Sequence, residues 1–211
     1  MGDVKGKKIF EIGCGGGQCS IAFARQGAIC TAMDISQNQL EHAKKLAKEN
    51  KVDIHFFRGD FHNLNEIKSN SMDIVFSAFA LQYSPNLSEV FKQVYRVLKK
   101  NGIIVFSFDH PFFAIVNPAN QKIADSYFNT GKHTIMHSWV DKSLHQFVYY
   151  RVKISDIFNA LKENNFSIER IIEPMTFKEQ TAWTKGRWKK IYPKKIVELL
   201  GPTIIFEARK I

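Results

Sequence analysis

Cysteine is scarce in this chain, long apolar runs are absent, and acidic side chains are outnumbered by basic ones. Only three of the 211 residues are cysteines, Cys14, Cys19 and Cys30, all within the first thirty. Three cannot all pair within one chain, which excludes a disulfide framework and fits a reducing, cytoplasmic compartment. No histidine adjoins them in sequence, so no zinc or other metal site is expected. No apolar run approaches the ~18 residues needed to cross a bilayer. The opening MGDVKGKKIFEIGCGGG has no long apolar stretch, because Glu11 interrupts it, so it does not read as a secretory leader. Position six is Gly6, where a myristoylation signal would need Ser or Thr. There is no internal repeat and no low-complexity tract.

What remains is an ordinary globular balance, 45 % hydrophobic and 24 % charged, which excludes a disordered chain. The length suits one domain, with at most an appendage, and is enough to bury a core without covalent staples. The net charge of +10 is uneven. Residues 1–110 carry 14 basic and 11 acidic groups, whereas residues 111–211 carry 16 and 9, so most of the excess lies in the second half.

The first half alternates between two periodicities. Lys8 to Ile12 reads as a buried strand, closed by the run Gly13 to Gly17. Gln18 to Gln26 has Ile21, Ala22 and Ala24 at helical spacing, and Gly27 is a helix stop. Ala28 to Met33 is a second strand ending at Asp34. Ser36 is placed to cap a helix reaching about Asn50, with Gln39 at the matching capping-box position. Leu40, Ala43, Leu46 and Ala47 form the inner face of that helix. Asp53 to Phe57, Met72 to Ser77 and Ile103 to Phe108 are further strands. Between the last two, Ser88 is expected to cap a helix to about Leu98, with Val90, Phe91, Val94 and Leu98 inward. Near-continuous apolar strands alternating with helices mean a parallel sheet covered on both faces, joined by right-handed crossovers.

The second half differs. Residues 110–150 contain no convincing helix, many aromatic residues and four of the seven histidines. A long insertion of this composition reads as functional rather than disordered. Ser155 is then expected to cap a helix to about Asn164. Phe166 to Ile172 and Thr203 to Arg209 are strands, separated by a basic stretch within residues 174–202.

The glycine run sits where a strand hands over to a helix. Glycine is needed where backbone turns tightly or approaches a ligand closely, and a helix N-terminus offers unbonded N–H groups. Asp34 ends the following strand, 21 residues after Gly13. An acid there can accept from both hydroxyls of a ribose, so the pair points to an adenosine-containing cofactor at the carboxyl edge of the sheet. The dinucleotide fingerprint G-x-G-x-x-G is not met, because its third glycine would fall at Gln18. That argues against a nicotinamide-dependent reductase.

Beyond that pair, Gly59-Asp60-Phe61, Met72 to Leu81, Val97 to Gly102 before the fifth strand and Asp109-His110-Pro111 after it complete a pattern. With Glu11 to Gly17 and Asp34-Ile35-Ser36, it resembles the class I S-adenosylmethionine-dependent methyltransferases, nearest to their small-molecule, type 11-like members. The resemblance is close over residues 5–111 and looser from Val152. It implies an α/β, Rossmann-like, seven-stranded, mostly parallel sheet with helices on both faces and an antiparallel last strand. The whole chain, 1–211, would form one methyltransferase domain, with 110–150 as an aromatic cap and 174–202 as a basic loop.

By that resemblance, Gly13, Gly15 and Gly17 let backbone approach the methionine part of S-adenosylmethionine, and Glu11 supports the loop and can reach the amino group. Asp34 holds the ribose hydroxyls and Ile35 packs on adenine. Asp60 accepts from the adenine amino group, Phe61 lies beside the ring, and Ser77 and Ala78 contact the methionine end. Family members carry a segment, usually helical, before the first strand. Here that strand begins at about Lys8, so either the natural start lies upstream or the site stays open. Weak or absent cofactor binding relative to a longer form is the expectation.

Methyl transfer from a sulfonium is an in-line displacement that mainly requires the acceptor to be held and water excluded. A base is needed only where the acceptor must lose a proton. His110, just beyond the fifth strand, is the candidate for that role. His137 and His145, with Trp139 and Tyr149, are candidates for lining an acceptor pocket suited to apolar or cationic bodies. A small-molecule acceptor is expected. Two alternatives stand beside it. Lys185, Arg187, Lys189, Lys190, Lys194 and Lys195, near Trp183, Trp188 and Tyr192, could hold tRNA or rRNA. The chain could also be a cofactor-fold binding protein without catalysis.

Overall fold

A computed structural model describes residues 1–117, 119–138, 144–174, 194–197 and 199–211. The first half follows the expected alternation: β1 (Lys8–Ile12), α1 (Gln18–Arg25), β2 (Ile29–Asp34), α2 (Gln37–Glu49), β3 (Ile54–Arg58), β4 (Met72–Ala78), α3 (Leu87–Val97) and β5 (Leu98–Asp109). There follow β6 (Val116–Asn117), β7 (Lys122–Ile123), β8 (Gly131–Ser138), β9 (Leu144–Arg151), α4 (Ile154–Glu163), β10 (Phe166–Ile172), the short α5 (Lys194–Val197) and β11 (Thr203–Lys210). Seven strands share one sheet in the order β3-β2-β1-β4-β5-β11-β10. β11 runs antiparallel to both neighbours, while the strands from β3 to β5 pair in parallel. The sheet is therefore the Rossmann-like one expected. Among the described residues no helix is long and apolar enough to cross a membrane.

The sheet is buried on both faces because its strands are apolar at consecutive positions. Along β5, Ile104, Phe106 and Phe108 join one cluster, with α3 and α4 supplying Phe91, Val94, Ile157 and Leu161. Ile103 and Val105 join the other, with Ile21, Leu40 and Ala47 from α1 and α2. Phe106 is the hub of the first, with ring centroids 5.3 Å from Phe91, 5.7 Å from Phe108 and 5.4 Å from Phe206.

Three local expectations need correction. In α1 the inward residues are Ser20, Ile21 and Phe23, while Ala22 is exposed. The larger Phe23 packs edge-on against Phe76 of β4, at 5.1 Å. The cap of α3 is Asn86, whose side chain accepts from Glu89 N at 3.2 Å. Ser88 falls inside the first turn and instead accepts from Asn164 Nδ2 at 2.9 Å. α4 begins earlier than a Ser155 cap would allow. Asp156 accepts from Lys153 N at 3.0 Å, and the Tyr127 hydroxyl accepts from Ile154 N at 3.0 Å.

The aromatic insertion is built of hairpins. β6 pairs with β7 and β8 with β9, both antiparallel, outside the main sheet.

Replacing the hub should test the core directly. Phe106→Ala leaves a cavity enclosed by three other rings and should cost about 3–5 kcal/mol in urea unfolding, with the m-value unchanged.

Candidate active site

The strand order reverses between β1 and β4, and in open α/β sheets such a switch point opens a crevice beyond the strands' carboxyl ends. The glycine run fills this corner. Gly13 has φ of 67°, and a Cβ there would lie 2.3 Å from Ala80 Cβ, so no other residue fits. Gly17 caps α1 with φ of 77°, a left-handed conformation that disfavours side chains. Cys14 N donates to Met33 O at 2.9 Å, which holds the loop against the end of β2.

Asp34 completes that attachment. Its Oδ2 accepts from Gly15 N at 2.8 Å and its Oδ1 from Ser36 N at 2.9 Å. A Cβ at Gly15 would meet nothing within 4 Å, so the loop is open at the point where it meets the carboxylate. A carboxylate has about four acceptor sites, so two backbone donors leave it able to take hydroxyls. Ile35 next to it is 65 % exposed, an apolar surface at the rim with nothing over it. An adenosine unit fits this donor set, with hydroxyls on Asp34 and a flat ring on Ile35.

Asp60, beyond β3, accepts from His62 N at 2.9 Å and pairs with His62 Nδ1 at 2.7 Å. His62 Nε2 reaches Ser84 Oγ at 2.9 Å. Partial burial works against the charge of Asp60, but the His62 hydrogen bonds outweigh it and hold its carboxyl below the ordinary value. Phe61 is half-buried against the core, its ring 4.8 Å from His62. The structure thus gathers Gly13, Gly15, Gly17, Asp34 and Ile35 at one corner, with Asp60 and Phe61 at the end of the next strand.

Two expected contacts turn inward. Ser77 is fully buried and its hydroxyl donates to Ile12 O at 3.0 Å, tying β4 to β1. It offers no surface to a ligand, whereas Ala78 beside it is only half-buried. Glu11 is buried beneath the loop and accepts from Ser20 N at 2.9 Å and from the Ser20 hydroxyl. It supports the start of α1 from below. Burial raises its carboxyl from 4.5 to about 7, against the lowering effect of Ser20. Burial likewise pushes the Cys14 thiol up to about 12 and the Cys19 thiol to about 11, so neither is a thiolate near neutral pH.

His110 is also buried, and both ring nitrogens are engaged. Nε2 lies 2.7 Å from Glu173 Oε1, and Nδ1 accepts from Phe112 N at 3.1 Å. Its backbone N donates to Pro202 O at 2.8 Å. The imidazole ties the end of β5 to Glu173 after β10, and the His110 backbone ties it to Pro202 before β11.

An opening lies beside it. A cavity of about 320 Å³ is walled by the end of β5, the segment after it and the β8–β9 hairpin. Tyr149 lines it as expected, and His145 is exposed and absent from its described lining. His137 pairs with His145 across the hairpin. Trp139, Trp183, Lys185, Arg187, Trp188, Lys189, Lys190 and Tyr192 lie outside the described residues, while Lys194 and Lys195 open α5. The sequence reading missed Gln82, Asp109 and Arg151. Gln82 and Asp109 clasp each other, Nε2 to Oδ2 at 3.1 Å and backbone N to Oε1 at 3.2 Å. The position of Asp109 as the last residue of a central strand is the signal that could have found it.

Glu11 predicts a pH dependence. Its carboxyl is 4.5 when unfolded and about 7 when folded, so between these values the unfolded chain binds fewer protons. Stability should therefore fall as pH rises from 4.5 to 7 and stay level above, by about 3 kcal/mol at most. Urea unfolding of wild type and Glu11→Gln at pH 5 and pH 8 should show this slope only in the wild type.

Residues 10–106 match the family model described as a methyltransferase domain. An uncharacterized methyltransferase, YbaJ, of Bacillus subtilis is 33 % identical over 108 residues, 51 % of this chain and 42 % of that protein. A ubiquinone biosynthesis O-methyltransferase of Rickettsia canadensis is 26 % identical over 170 residues, 80 % of this chain and 66 % of its own. The chain thus spans less than half of the Bacillus protein. The crystal structure of an S-adenosylmethionine-dependent methyltransferase from Mesorhizobium loti shares the fold, with a TM-score of 0.77 at 24 % identity, covering 100 % of this chain and 94 % of that one. The domain match covers a little under half of the chain, and with the strand order and the glycine loop joined to Asp34 it makes this chain similar to the S-adenosylmethionine-dependent methyltransferases.

Proposed function

We propose that this chain transfers a methyl group from S-adenosylmethionine to a small-molecule acceptor held in the 320 Å³ cavity. One observation carries the reading. The Gly15–Asp34 junction and the cavity open on the same edge of the sheet, beyond β1–β2 and β5 respectively. β1 and β5 are separated only by β4, a spacing of about 10 Å at the usual strand separation. A ligand on the loop and a second ligand in the cavity would therefore meet end to end. The O-methyltransferase named for ubiquinone biosynthesis supports a small acceptor by analogy.

S-adenosylmethionine supplies the activated methyl group on its sulfonium. The chain's own work is to bind and align. In this reading the backbone of Gly13, Gly15 and Gly17 receives the methionine end, with Ala78 at the rim. Asp34 accepts from the ribose hydroxyls, Ile35 covers the adenine, and Asp60 and Phe61 border its far side. Glu11 and Ser77 act one layer below, holding the start of α1 and the β1–β4 seam. The aromatic hairpin excludes water from the acceptor. The alternative of an RNA acceptor rests on residues 183–195, most of which lie outside the described residues, and retardation of tRNA at low salt would favour it.

Calorimetric titration should give saturable, one-to-one binding of S-adenosylmethionine. Asp34→Asn should weaken it about tenfold or more, since it removes a charged acceptor from two hydroxyls. S-adenosylhomocysteine release should then appear with some member of a metabolite panel. A folded wild-type protein that shows no cofactor binding would overturn the proposal.

A further inference from the structure

Among the described residues one buried side-chain nitrogen or oxygen has no hydrogen-bond partner, and it is Arg151 Nε. Arg151 ends β9 and lines the cavity. Buried polar groups are nearly always satisfied, so an orphan on a residue that lines a cavity calls for an explanation. We propose that the acceptor is an aromatic ring bearing an oxyanion, a carboxylate or a phenolate, and that Arg151 receives this oxygen. The proposal rests on the cavity being the acceptor site and deepens that reading.

The surroundings of Arg151 support it. Its Nη1 donates to Asp125 Oδ2. A guanidinium carries five N–H donors, and the Asp125 bond uses one of those on Nη1. That bond holds the side chain in place. Asp125 is itself held rigidly. Asn129 Nδ2 donates to its two oxygens at 3.1 and 3.0 Å, and Ser126 N donates to Oδ1 at 2.7 Å. Its negative charge is shared among three residues, so it answers the guanidinium only in part. The guanidinium carbon Cζ of Arg151 lies over the Tyr149 ring, 6.0 Å from its centroid.

The walls select a flat ring. Phe113, Tyr127, Phe147, Tyr149 and Tyr150 line the cavity. Several are braced by partners: Tyr127 stacks on Phe112 at 4.5 Å, Phe147 meets Tyr83 edge-on at 5.2 Å, and Tyr149 lies 5.7 Å from His133. Rings set in this way form a preorganised slot. A volume of about 320 Å³ holds one substituted ring rather than an extended chain.

Two matched probe series test the assignment at pH 8, by calorimetry without cofactor, so that binding is read apart from methyl transfer. Benzoate should bind about tenfold more tightly than benzamide, and benzylammonium more weakly than either. The second series compares 4-nitrophenolate with nitrobenzene. A preference in the first series alone assigns a carboxylate, in the second alone a phenolate, and in both the shared oxyanion chemistry. Arg151→Met should abolish the preference, while Asp125→Asn, which keeps the guanidinium, should retain or increase it. If Arg151→Met does not fold, the wild-type series and Asp125→Asn still decide. Equal binding of anion and neutral isostere in both series, tightest binding of benzylammonium, or undiminished anion preference in folded Arg151→Met would each overturn the proposal. Failure of S-adenosylmethionine binding would count against methyl transfer and leave these results standing.

Discussion

The site depends on one close approach, that of Gly13 to Ala80 across the β1–β4 seam. With 2.3 Å between a notional Cβ and the Ala80 methyl, the chain leaving β1 has room for backbone only. That contact sets the path of the glycine run. The run then reaches back to β2, where Gly15 N meets Asp34, and forward to Gly17, where α1 starts. The seam is held by Ser77, bonded to Ile12 O within the core. The crevice is thus a consequence of tight packing below it, and its openness above Gly15 is the complement of the crowding at Gly13.

The same logic explains what the sequence makes legible and what it does not. The strand–loop–helix pattern, Asp34 and the Ser36 cap follow from neighbours in sequence, or from a periodicity that a few residues reveal, whereas the seven-stranded sheet with its antiparallel last strand is implied by the family resemblance. Ser36 does receive Gln39 N, at 3.4 Å. Side-chain commitments are different, because the partner decides them and it is often far away. His110 looks like a base by position, yet its partner is Glu173, 63 residues on. Ser77 looks like a lining residue, yet it bonds across 65 residues to Ile12. Ser88 has the right chemistry for a cap, but Asn86 stands two residues earlier and takes the role. Position on the carboxyl edge is local information, whereas the availability of an atom there is not.

The aromatic insertion shows the limit from the other side. Its composition announces a cavity wall, but not which residues face inward. The pairing of β8 with β9 brings Ile135 opposite Phe147 and His133 opposite Tyr149. That register cannot be read from a stretch with weak alternation, because a slip of one residue would turn every side chain to the opposite face. Arg151 and Asp125 are likewise partners distant in sequence that only the fold brings together. The charged residues of the cavity wall, Asp109 and Arg151, come from the ends of β5 and β9.

Charge is arranged along the edge in a way that suits the chemistry proposed. The carboxylates Asp34 and Asp60 stand beyond β2 and β3, and the guanidinium of Arg151 stands in the wall beyond β5. In the proposed reading a cofactor with a sulfonium centre would be drawn to the first, and an acceptor carrying an oxyanion to the second. Electrostatic attraction between the two bound molecules then favours the end-to-end approach that in-line displacement requires, without any group of the protein taking part in bond making. The excess of basic residues in the second half of the chain has the sign this division requires. Methyl transfer of the kind proposed would ask for alignment and a dry cavity rather than a titrating base, and a His110 ring bonded to Glu173 is compatible with that.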